Sequence, residues 1–461
     1  MEKYDVIIIG AGPAGLFSAY ELITNKPNLK IVIMEKGKLA KERNCPMQVK
    51  GGNCRNCQPC SILSGYGGAG TFSDGKLNFI PKLGKTNLYK YMDEQDAKNI
   101  IDDTEKIFNK FNMDGEVFPS NMKEAKKIEK QIDRKNADLL IIKQKHLGSD
   151  KLPKYIQDFT DYLLSCGVEI FHSSEVIDVH SKAEDDFTIT YLKNSDTHDM
   201  NCSNVIIAPG RSGAKWVEGL VEKYNIPYSS DNIEVGVRVE TKSNVLEKIT
   251  SVIYDPTIFI KTKTYNDEIR TFCTNPKGFV AKENYNGYVC VNGHSLKDIK
   301  SNNSNFAFIS KVKLTNNNSN TRVYGENIAK VAYALGGGKP ILQRLGSLKN
   351  NKVVIVSKDS VQPTLSEYIE SDLGLILPHR IVVNILEGLE ILEKIIPGVN
   401  ADDTILYGPE IKFFSNEIIT DNNMRIKGFN MYFIGDGSGK TGNIVSAAAT
   451  GLIAARNILK E

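Results

Sequence analysis

The chain has 461 residues and lacks any run of about 18 uninterrupted apolar positions, so no transmembrane helix is expected. Excess charge of one sign is missing too. Its 58 Lys and Arg stand against 55 Asp and Glu, a net +3 that offers no strong global field to nucleic acid or to an anionic membrane. The opening residues Met1-Glu2-Lys3-Tyr4-Asp5 lead into an apolar run broken by Gly10, Gly12 and Pro13, without the small-residue cleavage site of a signal peptide. A cytoplasmic location is therefore expected. There the eight cysteines serve more often as ligands, redox groups or core than as disulfides. With 41% hydrophobic residues, 37 Gly and 16 Pro, the composition excludes disordered and collagen-like chains, and the length suggests about three domains. No repeat period is present.

What is there begins at the N-terminus. Val6 to Ile9 reads as a buried strand, Gly10 to Gly15 as a turn and Leu16 to Thr24 as a helix, with a second strand over Lys30 to Met34. Gly10-Ala11-Gly12-Pro13-Ala14-Gly15 is a dinucleotide fingerprint. Its first glycine permits the tight turn, the second admits a pyrophosphate to the backbone, and the third lets helix and strand pack closely. Glu35 follows the third glycine by twenty residues, placed to accept hydrogen bonds from ribose hydroxyls and to repel a 2′-phosphate.

At the far end, Met431 to Ile434 reads as a strand running into Gly435-Asp436, and Gly442-Asn443-Ile444 opens a small-residue helix. Two look-alikes fall away. Gly435 to Thr441 resembles a P-loop, but Ile434 stands where that motif needs a glycine. Gly65, Gly67 and Gly70 have dinucleotide spacing without a helix after them, and read instead as a run of backbone N–H groups able to cradle part of a nucleotide.

These segments resemble the bacterial FAD-dependent dehydrogenases, NAD(P)/FAD-dependent oxidoreductases of the glutathione-reductase-like superfamily, with a more distant similarity to geranylgeranyl-reductase-like flavoproteins. The resemblance is carried by Gly10 to Gly15, Gly67 to Leu77, Ala208 to Gly213, Thr271 to Pro276, Val291 to Gly293, Gly337 to Pro340 with Gln343-Arg344, Tyr407 to Glu410, and Gly435-Asp436. It implies an α/β fold: a discontinuous Rossmann-like FAD-binding domain with an inserted α+β substrate domain. Implied boundaries are 1–85 for the first FAD-domain part with a Cys-rich loop, 86–150 for a helical insertion, and 151–215 for a second part with a β-meander. Residues 216–405 then form the substrate domain and 406–461 the third FAD-domain part. The cofactor-binding residues expected are Gly10, Gly12, Pro13, Ala14, Gly15, Glu35, Lys36, Gly68, Gly70, Ser73, Asp74, Lys76, Val176, Ala208, Gly210, Arg211, Gly435, Asp436, Gly442, Asn443 and Ile444. By the same resemblance Asp436 binds the ribitol, and the helix N-terminus at Asn443 faces the ring region that gains negative charge on reduction.

Cys45, Cys54, Cys57 and Cys60 form C-x8-C-x2-C-x2-C, half of the chain's cysteines within sixteen residues. That spacing suits a [4Fe-4S] cluster first, zinc second and a redox dithiol third, and four unliganded thiols remain the plain alternative. No second dinucleotide fingerprint follows a strand in the middle of the chain. Electrons are therefore expected from ferredoxin or another carrier through such a cluster, or from NAD(P)H bound transiently. Candidate catalytic groups are Cys273, His294 and Arg344. The expected activity is an FAD-dependent oxidoreductase exchanging hydride or electrons with a small organic substrate, with reduction of a conjugated C=C bond suggested by the reductase similarity. The alternative is a flavin/metal electron-transfer or redox-sensing protein whose partner is another protein.

Overall fold

The computed structural model describes residues 3–45, 55, 57–133, 137–148, 151–229, 232–285, 287–296, 299–314, 321–350, 355–413 and 415–461. It divides into two compact units, one of residues 1–116, 145–230 and 414–461, the other of 117–144 and 231–413.

The first unit is built on a parallel sheet in the order Met431–Phe433, Asp196–Ile207, Lys3–Ile9, Ile31–Met34, Glu169–Phe171. Val6, Ile7, Ile8 and Ile9 are all buried, as befits a parallel strand covered on both faces. Its even-numbered residues join the core formed with the helices Pro13–Asn25 and Ile444–Ile458, and its odd-numbered ones face helix Ala214–Lys223. The two helices of the first face can touch because a glycine stands at their crossing: a Cβ on Gly451 would lie 2.2 Å from the Ala14 carbonyl oxygen. Phe17, Phe108, Phe111 and Phe159 close that face, with the Phe111 and Phe159 rings stacked at 4.1 Å. Strand Asp196–Ile207 does double duty. Its later residues pair with Lys3–Ile9 and Met431–Phe433, and its earlier ones close the antiparallel meander with Glu175–Ala183 and Asp186–Lys193.

The second unit holds an eight-stranded sheet in the order Ile369–Glu370, Ile341–Arg344, Ile405–Lys412, Ile233–Lys242, Asn303–Val312, Glu268–Asn275, Thr257–Lys261, Ala137–Leu140. Strand Ile233–Lys242 shows how one face was made apolar. Val235, Val237 and Val239 share a core with Ile385 and Leu389 of helix His379–Glu393, while the alternate residues Glu234, Arg238 and Glu240 are buried on the opposite side. Buried charges must be paired. Arg270 meets Glu234 at 2.7 Å, and Glu240 accepts from Tyr407 at 2.6 Å and from the Asn303 amide at 3.0 Å.

Residues 86–150 divide between the units. Helix Glu94–Lys110 belongs to the first, whereas Met122–Asp133 and the strand Ala137–Leu140 belong to the second. The charged stretch from Tyr89 to Lys145 thus contains strands as well as the expected helices. Ala137 and Leu139 are buried while Asp138 is exposed, an alternation of period two too short to stand out among charged neighbours.

Candidate nucleotide site and the polar face of the second unit

The turn after Lys3–Ile9 is shaped by sterics. Gly10 takes φ +106°, and a Cβ there would lie 2.1 Å from the Ala208 carbonyl oxygen; a Cβ on Gly15 would lie 2.0 Å from that of Gly10. Gly12 differs. It caps helix Pro13–Asn25 with φ −73°, and its Cβ would meet nothing nearer than the Gly68 Cα at 4.0 Å. Pro13 occupies the first helical turn, where a missing N–H costs nothing.

Against this turn lies the glycine-rich loop. The Gly67 N–H donates to the Ala11 carbonyl at 2.7 Å, and the short helix Gly68–Phe72 brings Gly68 beside Gly12 and Gly70 beside Ile444. The fingerprint turn, the glycine-rich loop and the start of helix Ile444–Ile458 thereby meet, Gly12 against Gly68 and Gly70 against the Ile444 side chain. At that helix Asn443 caps Ser446 N at 2.9 Å, and the Gly442 N–H donates to Thr86 Oγ1 at 3.3 Å. Thr441 Oγ1 and Ser446 Oγ are buried there without a hydrogen-bond partner. Two helix N-termini brought together beside glycines, with orphaned hydroxyls next to one of them, fit an anionic dinucleotide.

Glu35 is buried and already accepts three backbone hydrogen bonds, from Ala11 N at 3.0 Å, Gly37 N at 2.9 Å and Gly65 N at 2.9 Å. A carboxylate has about four acceptor positions, so one is left for a ribose hydroxyl. Glu35 ties the fingerprint turn to the second strand and to the glycine-rich loop. Asp436 accepts from Arg211 Nη2 at 3.0 Å and Nε at 3.2 Å, which brings together two expected cofactor residues. Asp74 pairs with Lys76 at 2.9 Å inside a turn braced by Ser73, whose hydroxyl donates to the Gly70 carbonyl at 2.7 Å. Lys36 is half-buried next to Glu35; Val176 lies in the meander, paired with Tyr191. Ala208 donates to the Ile9 carbonyl at 2.8 Å, and Gly210 follows it at φ +64°.

Two residues here escaped the sequence reading. Arg43 is buried and donates to the carbonyls of Ser61, Ile62, Tyr66 and Gly68 and to Thr71 Oγ1, at 2.7–3.1 Å. Burial pulls its guanidinium down to about 10, with the Glu35 carboxylate opposing that fall. Lys440 is also buried, held by the Ile418 carbonyl at 2.9 Å, Thr420 at 2.8 Å and the Tyr91 hydroxyl at 3.1 Å, and burial lowers it to about 8. Arg43 lies in no recognisable local pattern, and Lys440 stands in the P-loop look-alike Gly435 to Thr441; the partners of both are distant in sequence.

Of the cysteine motif, Cys54 lies outside the described residues. Cys57 is exposed and Cys45 and Cys60 are half-buried, and among the described residues no group of three or more His, Cys, Asp or Glu is arranged to hold a metal ion.

In the second unit Cys273 sits in strand Glu268–Asn275 at φ +51°, where the register with Asn303–Val312 shifts. Its carbonyl accepts from Arg238 Nη2 at 2.6 Å and from Asn275 Nδ2 at 2.9 Å. Arg238, fully buried, also reaches Glu410 at 3.1 Å and Asn305 at 2.9 Å. Burial pushes the Glu410 carboxyl up to about 7 despite Arg238. His294 ends strand Tyr288–His294 and is half-buried. Arg344 spends its guanidinium on the carbonyls of Asp403 at 2.9 Å and Val361 at 3.1 Å. Its strand stands four places from that of Cys273 in the sheet, about 19 Å at the usual strand spacing. The structure thus does not gather Arg344 and Cys273 around one small molecule.

Residues 232–412 match the family model described as FAD-dependent protein, C-terminal domain-like, and residues 1–41 match that of the Thi4 family. An uncharacterized protein of Clostridium beijerinckii is 23% identical over 476 residues, covering 99% of this chain and 80% of its own length. Among solved structures, the flavin-dependent halogenase CmlS matches at TM-score 0.44 and 13% identity, over 100% of this chain and 58% of its own. Glycine oxidase from Geobacillus kaustophilus matches at TM-score 0.42 and 11% identity, over 100% of this chain and 96% of its own. A geranylgeranyl bacteriochlorophyll reductase-like protein from Thermoplasma acidophilum matches at 0.38 and 13%, over 100% and 79%. Among the described residues no helix is long and apolar enough to cross a membrane. The fingerprint turn thus lies in the segment matched to the Thi4 family, and most of the second unit in the segment matched to the C-terminal domain of an FAD-dependent protein.

Proposed function

We propose that the protein exchanges hydride or electrons between FAD held in the first unit and a small organic substrate taken by the second. The observation that carries this reading is the meeting of the fingerprint turn and the glycine-rich loop, through Gly12, Gly68 and Gly70, at the start of helix Ile444–Ile458. Bound FAD supplies a carrier able to pass two electrons together or one at a time. The chain's own part is to hold the pyrophosphate on the N–H groups of the fingerprint turn, to brace the glycine-rich loop through Glu35 and Arg43, and to offer the capped helix N-terminus to developing negative charge. Arg211 fixes the Asp436 carboxylate for a ribitol hydroxyl. Reduction of a conjugated C=C bond is the reaction we favour within this class, and it rests on the sequence resemblance. Rapid-mixing reduction of the flavin by candidate small molecules, set against reduction by ferredoxin, tests the substrate. Reduction by ferredoxin with no small molecule turned over would replace this reading with an electron-transfer protein.

The C-x2-C-x2-C spacing of Cys54, Cys57 and Cys60, with Cys45 as fourth thiol, supports the further reading that electrons arrive through a [4Fe-4S] cluster, with zinc as the competing metal. Anaerobically prepared protein is then expected to carry about four irons per chain. Cys57→Ser should lose that iron while keeping FAD. Zinc in its place, or iron unchanged in the variant, would overturn the cluster assignment.

A further inference from the structure

Strand Ile233–Lys242 runs directly into helix Ser243–Thr250, and its last residue, Lys242, pairs with Asn303, the first residue of strand Asn303–Val312. At this end of the strand pair the second unit holds a cavity of about 480 Å³, lined by residues 242–244, 302–303 and 358–364. It opens to solvent: Lys242, Asn244, Asn302, Lys358, Asp359 and Gln362 are all exposed.

Asn303 differs from the rest of the lining, being only 6% exposed. Its Nδ2 donates to Glu240 at 3.0 Å and to the Gln362 carbonyl at 2.6 Å. Glu240 is held as an acceptor by the hydroxyls of Tyr407 and Thr364 as well. The amide therefore cannot turn over without losing both bonds. Asn303 Oδ1 accepts no hydrogen bond among the described residues, which leaves it a fixed acceptor in the cavity wall.

Lys242 and Lys358 line the same cavity, and neither forms an ion pair or a side-chain hydrogen bond among the described residues. With Asp359, two cations stand against one carboxylate. Helix Ser243–Thr250 begins here without a side-chain cap. Its Ser243 N–H is used by the Asn302 carbonyl at 2.9 Å, while Asn244 and Val245, on the same first turn, have no acceptor within their own helix. Two ammonium groups and an uncapped helix start favour an anion, and a phosphate monoester, with close to two charges and three acceptor oxygens, matches them better than a carboxylate. Asn303 Oδ1 and Asp359 can only accept, so they favour hydroxyl groups on the same ligand. The volume is that of a small-molecule site.

We propose that this cavity binds a phosphorylated sugar, either a free sugar phosphate or the ribose phosphate of a nucleotide. Its phosphoryl oxygens meet Lys242, Lys358 and the start of helix Ser243–Thr250, and a sugar hydroxyl donates to Asn303 Oδ1. All of these residues belong to the second unit, and none is among those expected to hold FAD.

The test is calorimetric titration of the full chain, loaded with FAD, with ribose 5-phosphate and with AMP. Ribose, which lacks the anion, and inorganic phosphate, which lacks the sugar, are the comparisons. At least one of the first two should bind at least about tenfold more tightly than either comparison, the worth of one hydrogen bond to a charged or buried partner. Tighter binding of ribose 5-phosphate identifies a free sugar phosphate, and tighter binding of AMP a nucleotide. Lys242→Met and Lys358→Met alter exposed side chains, so their melting curves should match the parent's, and each should weaken the better probe about tenfold. Binding of neither probe, equally tight binding of ribose or inorganic phosphate, or unchanged affinity in either lysine variant would overturn the proposal. If the chain retains no FAD, the same titrations are read through the two lysine variants, which lie outside the fingerprint, so failure of the FAD reading and failure of this one remain separate.

Discussion

Gly12→Ala should give a folded protein whose affinity for FAD falls about a hundredfold, the equivalent of one or two charge-assisted hydrogen bonds. The asymmetry with its neighbours makes this informative. At Gly10 and Gly15 an added Cβ would run into a carbonyl oxygen at 2.1 and 2.0 Å, so those glycines serve the fold as well as the ligand. At Gly12 the backbone is at φ −73°, open to any residue, and the Cβ would sit 4.0 Å from its nearest neighbour, an ordinary contact. The methyl group is harmless to the chain and takes up the approach needed by the pyrophosphate. Melting curves of the parent, Gly12→Ala and Gly10→Ala should therefore place the first two together and the third lower, while FAD titration separates the parent from both variants. Wild-type affinity in Gly12→Ala would mean that the turn beside Gly68 is not where the dinucleotide lies.

The other large effect is expected far from any fingerprint. Arg43→Met keeps the apolar stem of the side chain but removes the donors serving four carbonyls and one hydroxyl of the loop from Ser61 to Thr71. Several of these acceptors are buried. Leaving them without partners should cost on the order of 3–5 kcal/mol in denaturant unfolding, and should weaken FAD binding because Gly68 loses its hold beside Gly12. Arg43→Lys should restore less than half of the loss, since one ammonium cannot reach acceptors spread around a planar guanidinium. A loss under about 1 kcal/mol for Arg43→Met would show that the loop is held by its glycines and by Glu35 alone.

These two residues mark how far the sequence could be read. The dinucleotide turn is legible because its chemistry is local: three glycines, a strand before them and an acid at a set distance all follow from the backbone geometry that a pyrophosphate requires. The buried strand Val6 to Ile9 and the closing helix after Asn443 are legible for the same reason, since apolar runs report burial directly. Arg43 is not legible, because its partners lie 18 to 28 residues away and no spacing announces them. The role of Glu35 was only half visible. Its position predicts a ribose contact, but nothing local reveals that three backbone N–H groups converge on it. In the second unit, Cys273 stood out as a thiol in a segment that carries the family resemblance, whereas Arg238, which holds the Cys273 carbonyl and Glu410, came to light only through the sheet register. Arg344 shows the reverse: a cation that reads as a candidate catalytic group is engaged by two carbonyls, four strands from Cys273.

The place proposed for FAD is where the fingerprint turn, the glycine-rich loop and the last helix meet. Its most direct test is the flavin bound per chain after equilibration of the purified protein with FAD and removal of the excess. One FAD per chain is expected, retained by the parent and lost from Gly12→Ala. A parent chain that retains no FAD, or a variant that retains as much as the parent, would contradict it.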